Sequence, residues 1–196
     1  MLGELEFLIM YGRGKMKKIY AVLSALMFLL MMGCSTLTQD IEVDAEADPK
    51  ANLAGYKTYA WLGSAAILND PHGKWEPPQF DADAEIKFLI DRELRKRGIK
   101  EVAVRPDLIV GFAAGIDMEA LELVENKETQ LQMLQNVPTG SLVIVLIDGV
   151  TGNPVWASAA VADVQQEISS DDVRKRLDYA VTQMFKLMKR EQSSGY

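Results

Sequence analysis

Leu142-Val-Ile-Val-Leu-Ile-Asp-Gly-Val-Thr-Gly-Asn-Pro-Val-Trp-Ala-Ser-Ala-Ala-Val161 is the stretch that decides how this chain folds. Leu142 to Ile147 is apolar at every position, as a strand in the middle of a sheet requires. Asp148-Gly149 through Gly152-Asn153 carries turn chemistry, and Val155-Trp156 to Val161 resumes an extended, apolar run. Two such runs joined by so short a turn pair antiparallel, and the rest of the domain has to assemble around them.

Working outward, the chain supplies more strands and two helices. From Asp107, bulky Leu108, Val110, Phe112, Ala114, Ile116 and Met118 alternate with a smaller or polar set, which predicts a long strand with one large-residue face. Asp40 to Asp48 alternates with period two. Ile41, Val43, Ala45 and Ala47 can lie on a core while Asp40, Glu42, Asp44, Glu46 and Asp48 face water. That acidic row does not read as a calcium site: like-facing carboxylates on one strand stand about 6–7 Å apart, whereas ligand oxygens must each reach ~2.3–2.6 Å from a single ion. Tyr56 to Leu62 is rich in aromatic residues and reads as another strand.

Residues 63–80, with Pro71, Pro77, Pro78, Gly63 and Gly73, read as a loop that carries His72, Trp75 and Phe80. Helical spacing starts at Asp81. Asp81, Asp83 and Glu85 sit at the positive end, Ile86, Leu89, Ile90 and Leu94 share one face, and Gly98 is the stop. Arg95, Lys96 and Arg97, with Arg92 and Lys100, complement the negative end of that helix; an anionic lipid or cell-wall polymer is the other reading of the cluster. In Glu119 to Pro138, Leu121, Val124, Leu131 and Leu134 allow a helix, while Asn126-Lys127 between alternating segments favours a hairpin. A last helix begins near Ser170, with a stripe of Val173, Leu177, Ala180, Val181, Met184, Phe185 and Met188, and residues 191–196 read as a loose tail.

Composition limits the chemistry. The 196 residues are 48% hydrophobic and 25% charged, and 21 basic against 28 acidic residues give a formal charge of −7. Nucleic acid is therefore a poor partner. One Cys and one His exclude zinc clusters, disulfide frameworks and iron-sulfur ligation, so no metal and no cofactor is expected.

The lone cysteine lies in the segment that sets the protein's address. Lys17-Lys18 precedes Ile19 to Met32, an apolar run broken only by Ser24, followed by Gly33-Cys34. This has the layout of an export signal. Fourteen helical residues from Ile19 to Met32 span about 21 Å at ~1.5 Å each, short of the ~30 Å hydrocarbon core, so a permanent transmembrane helix is disfavoured. Met31-Met32-Gly33-Cys34 resembles a bacterial lipobox: Gly33 admits the peptidase and Cys34 takes up diacylglycerol. Met31 stands where such motifs usually carry Leu. Acyl chains at ~0.8 kcal/mol per buried methylene would moor the cleaved chain stably when more than one is present.

Ser35 after the cysteine, by resemblance to known sorting rules, directs the protein to the periplasmic face of a Gram-negative outer membrane. Residues 1–33 are then signal, 1–15 being a mis-assigned upstream start because Glu4 and Glu6 do not suit a basic leader, and residues 34–39 are a lipidated tether. Removing four basic and two acidic residues with the leader leaves 17 against 26, a mature charge of −9.

The ordered features together resemble the bacterial lipoprotein family known as domain of unknown function 4136. The carriers are Gly55-Tyr56-Lys57-Thr58-Tyr59-Ala60-Trp61, Lys96-Arg97-Gly98, Arg105-Pro106-Asp107-Leu108-Ile109-Val110, Gly140-Ser141-Leu142-Val143-Ile144 leading to Asp148, and Thr151-Gly152-Asn153-Pro154-Val155-Trp156. Ala157 departs from the Arg such proteins often place after the tryptophan. The resemblance implies an envelope lipoprotein with a single α+β domain over residues 40–190, an antiparallel β-sheet with two helices packed on one face, preceded by the lipoprotein signal peptide. It implies no known reaction.

No residue here is expected to be catalytic. His72 has only Asp70 nearby in sequence and nothing to position it as a base. A glycan hydrolase would need two facing carboxylates, and Glu76 beside Trp75 is the least implausible acid, because burial against an indole would favour the protonated carboxyl. The leading expectation is a noncatalytic module that binds an envelope protein or cell-wall polymer through the His72, Trp75 and Phe80 loop; a structural envelope lipoprotein and a cell-wall glycan hydrolase are the alternatives.

Overall fold

The computed structural model describes residues 37–125, 132–165 and 168–193. The chain divides into two units, Met1–Gln39 and Asp40–Tyr196. The export signal, Gly33, Cys34 and the first tether residues lie outside the described residues. The second unit contains β1 (Glu42–Ala47), a 3-10 turn (Leu53–Gly55), β2 (Thr58–Asn69), helix α1 (Ala82–Lys96), β3 (Lys100–Glu101), β4 (Leu108–Asp117), β5 (Leu121–Glu125), β6 (Gln132–Asn136), β7 (Thr139–Asp148), β8 (Pro154–Asp163) and helix α2 (Ser170–Ser193).

Six strands form one sheet in the order β1-β8-β7-β4-β2-β3, and β5-β6 is a separate hairpin. The β7-β8 hairpin is antiparallel as its sequence predicts, with Leu142 opposite Ala160 and Leu146 opposite Trp156. The sheet is mixed, however, because β2 runs parallel to both β4 and β3. The connection explains this: α1 returns the chain to the starting end of β2 before β3 and β4 begin, and a crossover of that length joins parallel strands, not antiparallel ones.

The loop expected at residues 63–80 begins only at Asp70, since β2 continues to Asn69. Gly63, at φ 147°, sits where the β2-β4 register shifts, a backbone conformation that suits glycine; the strand bulges there and resumes with Ser64 opposite Phe112. The expected tail is also shorter than read, because α2 runs on to Ser193. Within residues 119–138, β5 and β6 pair antiparallel as the expected hairpin requires, with Leu121 opposite Asn136; residues 126–131 lie outside the described residues.

Both helices cover one face of the sheet. Leu108, Val110 and Phe112 of β4, Leu142, Ile144 and Leu146 of β7, and Val155, Trp156 and Ala160 of β8 meet the apolar stripes of α1 (Ile86, Leu89, Ile90, Leu94) and α2 (Ala180, Val181, Met184, Phe185, Met188) in one buried cluster. The Trp156 and Phe185 rings lie 5.3 Å apart, and the Arg97 guanidinium sits 5.0 Å from the Phe185 ring centre. Asp81 caps α1 by accepting from the Ala84 amide at 3.0 Å. On β1 the acidic residues Glu42, Asp44 and Glu46 are exposed while Val43, Ala45 and Ala47 pack against the core, as the period-two pattern requires.

Polar clasps fix the helices. Arg176 of α2 grips both oxygens of Asp40 at 2.8 and 2.6 Å, and the hydrogen bonds from this guanidinium hold the Asp40 carboxyl below its usual range despite partial burial. Glu93, buried on α1, accepts from Lys96, Arg97 and Arg92. Burial pushes its carboxyl up, but the three cations outweigh it and the net direction is down. Arg92 also reaches Asp178 and Thr182 of α2, so the cluster ties the two helices together.

Because Phe185 is fully buried against Trp156, Phe185→Ala should destabilise the domain by about 3–5 kcal/mol, the cost of an aromatic truncation in a core. Urea unfolding followed by the circular dichroism of the helices would show it. A loss under 1 kcal/mol would mean that α2 is not held by this contact.

Candidate functional site

The loop singled out in the sequence is stapled down at several points. Asp70 accepts from the amides of Lys74 at 2.9 Å and Trp75 at 2.8 Å, closing a tight turn around Gly73, and these hydrogen bonds keep its carboxyl below the usual range. Gln79 donates its amide to the Ser170 hydroxyl at the start of α2. The Phe80 ring lies under the Arg174 guanidinium, 4.4 Å from its centre. His72 stands exposed, with Nε2 3.9 Å from Oε1 of Glu119 at the foot of the β5-β6 hairpin. Trp75 and Phe80 are each half-buried, and Glu76 is exposed. His72 and Phe80 therefore engage different elements, and Phe80 is covered by Arg174 rather than displayed beside Trp75.

At the opposite end of the sheet two aspartates organise the turns. Asp148 accepts from the amides of Thr151 and Val150 and from the Tyr56 hydroxyl at 2.8 Å. Asp107 accepts from the Lys57 and Thr58 amides, both at 2.9 Å, and donates its own amide to the Thr58 hydroxyl. Gly149 donates to the Asp107 carbonyl, and a side chain there would drive its Cβ into the Pro106 carbonyl oxygen. These carboxylates are occupied as turn locks. Among the described residues no three His, Cys, Asp or Glu side chains converge to hold a metal ion.

What the sequence reading missed is the face of the sheet away from the helices. Leu62, Ala65, Gly111, Ala113, Val143 and Val145 line a shallow apolar trough there, with Leu62 65% and Val143 42% exposed. The signal lay in the smaller set on β4, where Gly111, Ala113 and Gly115 alternate with the core residues. Without bulk on β4, the facing positions of β2 and β7 define the trough.

The α+β class follows from the mixed sheet and its one-sided helical cover. Residues 43–187 match the family described as Domain of unknown function (DUF4136), and the chain belongs to that family. No curated protein matches it. Among solved structures it is similar to a DUF4136 family protein from Bacteroides thetaiotaomicron (12% identity, TM-score 0.49, 76% of this chain and 96% of that one). It is also similar to the PelC dodecamer from Paraburkholderia phytofirmans (14%, 0.44, 73% and 95%) and to a minor lipoprotein from Acinetobacter baumannii (11%, 0.37, 70% and 95%).

The Asp148-Tyr56 pair makes stability depend on pH at both extremes. Backbone donation by Thr151, then the Tyr56 hydroxyl, lowers the Asp148 carboxyl from 3.8 to about 2. Its contribution is therefore complete above pH 3.8 and lost as pH falls toward about 2. Burial, then the bond to Asp148, raises the Tyr56 phenol from 10.0 to about 12, so its contribution is complete below pH 10 and lost as pH rises toward about 12. Urea midpoints measured across pH should fall less steeply in acid for Asp148→Asn and less steeply in alkali for Tyr56→Phe. Slopes identical to wild type would show that the pair does not couple to folding.

Proposed function

We propose that this chain is a lipid-anchored cell-envelope protein of Gram-negative type, held through Cys34 at the periplasmic face of the outer membrane, where its folded domain serves as a noncatalytic binding or adaptor module. The observation that carries the reading is the order of parts: Lys17-Lys18, an apolar run, Gly33-Cys34, and a folded domain that starts six residues later at Asp40. A cysteine used once in 196 residues, at the end of such a run, has the chemistry of an acylation site. By this reading attachment rests on the lipid carried by Cys34; among the described residues no helix is long and apolar enough to cross a membrane. The trough on the uncovered sheet face supports a binding role, since its apolar side chains are open to a partner.

A second reading, a structural envelope lipoprotein without a specific ligand, draws on the stapled loop: with Phe80 under Arg174, the expected aromatic contact surface is partly spent inside the domain.

Radiolabelled palmitate is expected to enter the wild-type protein but not Cys34→Ala, and the labelled protein to fractionate with the outer membrane; release of both variants as soluble protein would defeat the anchoring. Crosslinking in cells from a photoreactive residue at position 75 separates the two readings: a reproducible neighbour supports an adaptor, and a clean map supports the structural role.

A further inference from the structure

Asn69 pairs with Asp117, Asp117 with Thr139, and Thr139 with Asp163, whose amide donates to Asp40. These residues form a row across one end of the sheet, and the chain arrives from Cys34 at that end. Six residue steps, even fully extended, reach only about 20–22 Å. The β7-β8 turn lies at the other end, about 30 Å away along a ten-residue strand at ~3.3 Å per residue.

The Asp40 end also displays apolar side chains in an unusual setting. From Leu62 to Asn69 every residue of β2 is exposed, and beyond Tyr59 its outer edge has no strand partner among the described residues. Exposed edge strands are ordinarily protected by charge or proline, yet Leu62 to Asn69 has neither. Ile67 is 64%, Leu68 55% and Leu121 at the foot of the hairpin 64% exposed, and the half-buried Trp75 belongs to the loop that follows β2. Tryptophan and aliphatic side chains of this kind favour the water-lipid boundary.

We infer that the Asp40 end is the membrane-facing surface of the domain, with Ile67, Leu68 and Leu121 resting in the headgroup region of the leaflet that holds the acyl chains of Cys34. The inference rests on the lipid anchor proposed above. The occupant is a zwitterionic phospholipid surface and not an anionic one, because Asp40, Asp117, Glu119, Asp163, Asp171 and Asp172 outnumber the cations of that end, Lys74, Arg174, Lys175 and Arg176, the last three of which pair with Asp171, Asp172 and Asp40, and the negative excess would be repelled by negative headgroups.

The test uses the full chain, purified with its lipid and reconstituted in phosphatidylcholine vesicles. Leu68→Cys, Leu121→Cys and Val150→Cys are each labelled with an environment-sensitive fluorophore; all three side chains are exposed, so the substitutions leave the core intact. Replacing part of the lipid with a chain brominated near the headgroup should cut the emission at 68 and 121 by more than half and leave that at 150 unchanged. Equal quenching at all three positions, or none at 68 and 121 in protein whose mass shows Cys34 acylated, overturns the orientation while the anchor stands. A label at 68 shielded from aqueous iodide but untouched by brominated lipid would mean that protein, such as a second copy paired along β2, covers the strand instead. A mass showing Cys34 bare would remove the anchor, and the orientation with it.

Discussion

The contact between Trp156 and Phe185 is the constraint around which the domain is arranged. Trp156 comes from the strand after the central turn, and Phe185 comes from the middle of the last helix. Their meeting brings α2 onto β8 and β1, whose own alignment is thereby settled. Arg97 then sits on the Phe185 ring and donates to its carbonyl, so the end of α1 is referred to the same point. Helix positions, sheet order and the one-sided core all follow from burying these rings together, because two amphipathic helices have one apolar stripe each and a single place to put it.

Charges sharpen this arrangement more than they drive it. Glu93 is buried among three cations, a placement that costs desolvation and is tolerated because each carboxylate oxygen is engaged. Its value lies in specificity: Arg92 reaches α2 only when the two helices sit in this register. Arg176 does the same for the start of the sheet by holding Asp40, which fixes where the chain enters the domain.

Much of the fold was legible because its residues obey simple periods. The alternation of Asp40–Asp48, the large face of β4, the spacing in both helices and the turn at Asp148-Gly149 each state their structure locally. The second half of β2 did not, since Gly63-Ser-Ala-Ala has the composition of a loop and becomes a strand only because β4 offers it a partner. The parallel pairing was hidden for the same reason: direction in a sheet depends on where a crossover returns, and no residue encodes that alone. Of the candidate site, the loop and its aromatic residues were readable, but the turn that Asp70 locks was not read, and the docking of Phe80 beneath Arg174 joins positions far apart in sequence and has no local signature. The trough was partly visible in the small residues of β4, yet a row of glycine and alanine looks alike whether it faces water or a neighbour.

The two margins of the sheet are unlike. β1 ends it with a palisade of Glu42, Asp44 and Glu46, whereas β2 closes the other flank with uncharged residues over most of its length. Any lateral growth of the sheet would thus be directional, since one flank carries charge that repels a newcomer and the other does not. Should two molecules join through the receptive flank, both outward margins of the pair would be acidic. Association would stop there instead of running on into a fibre.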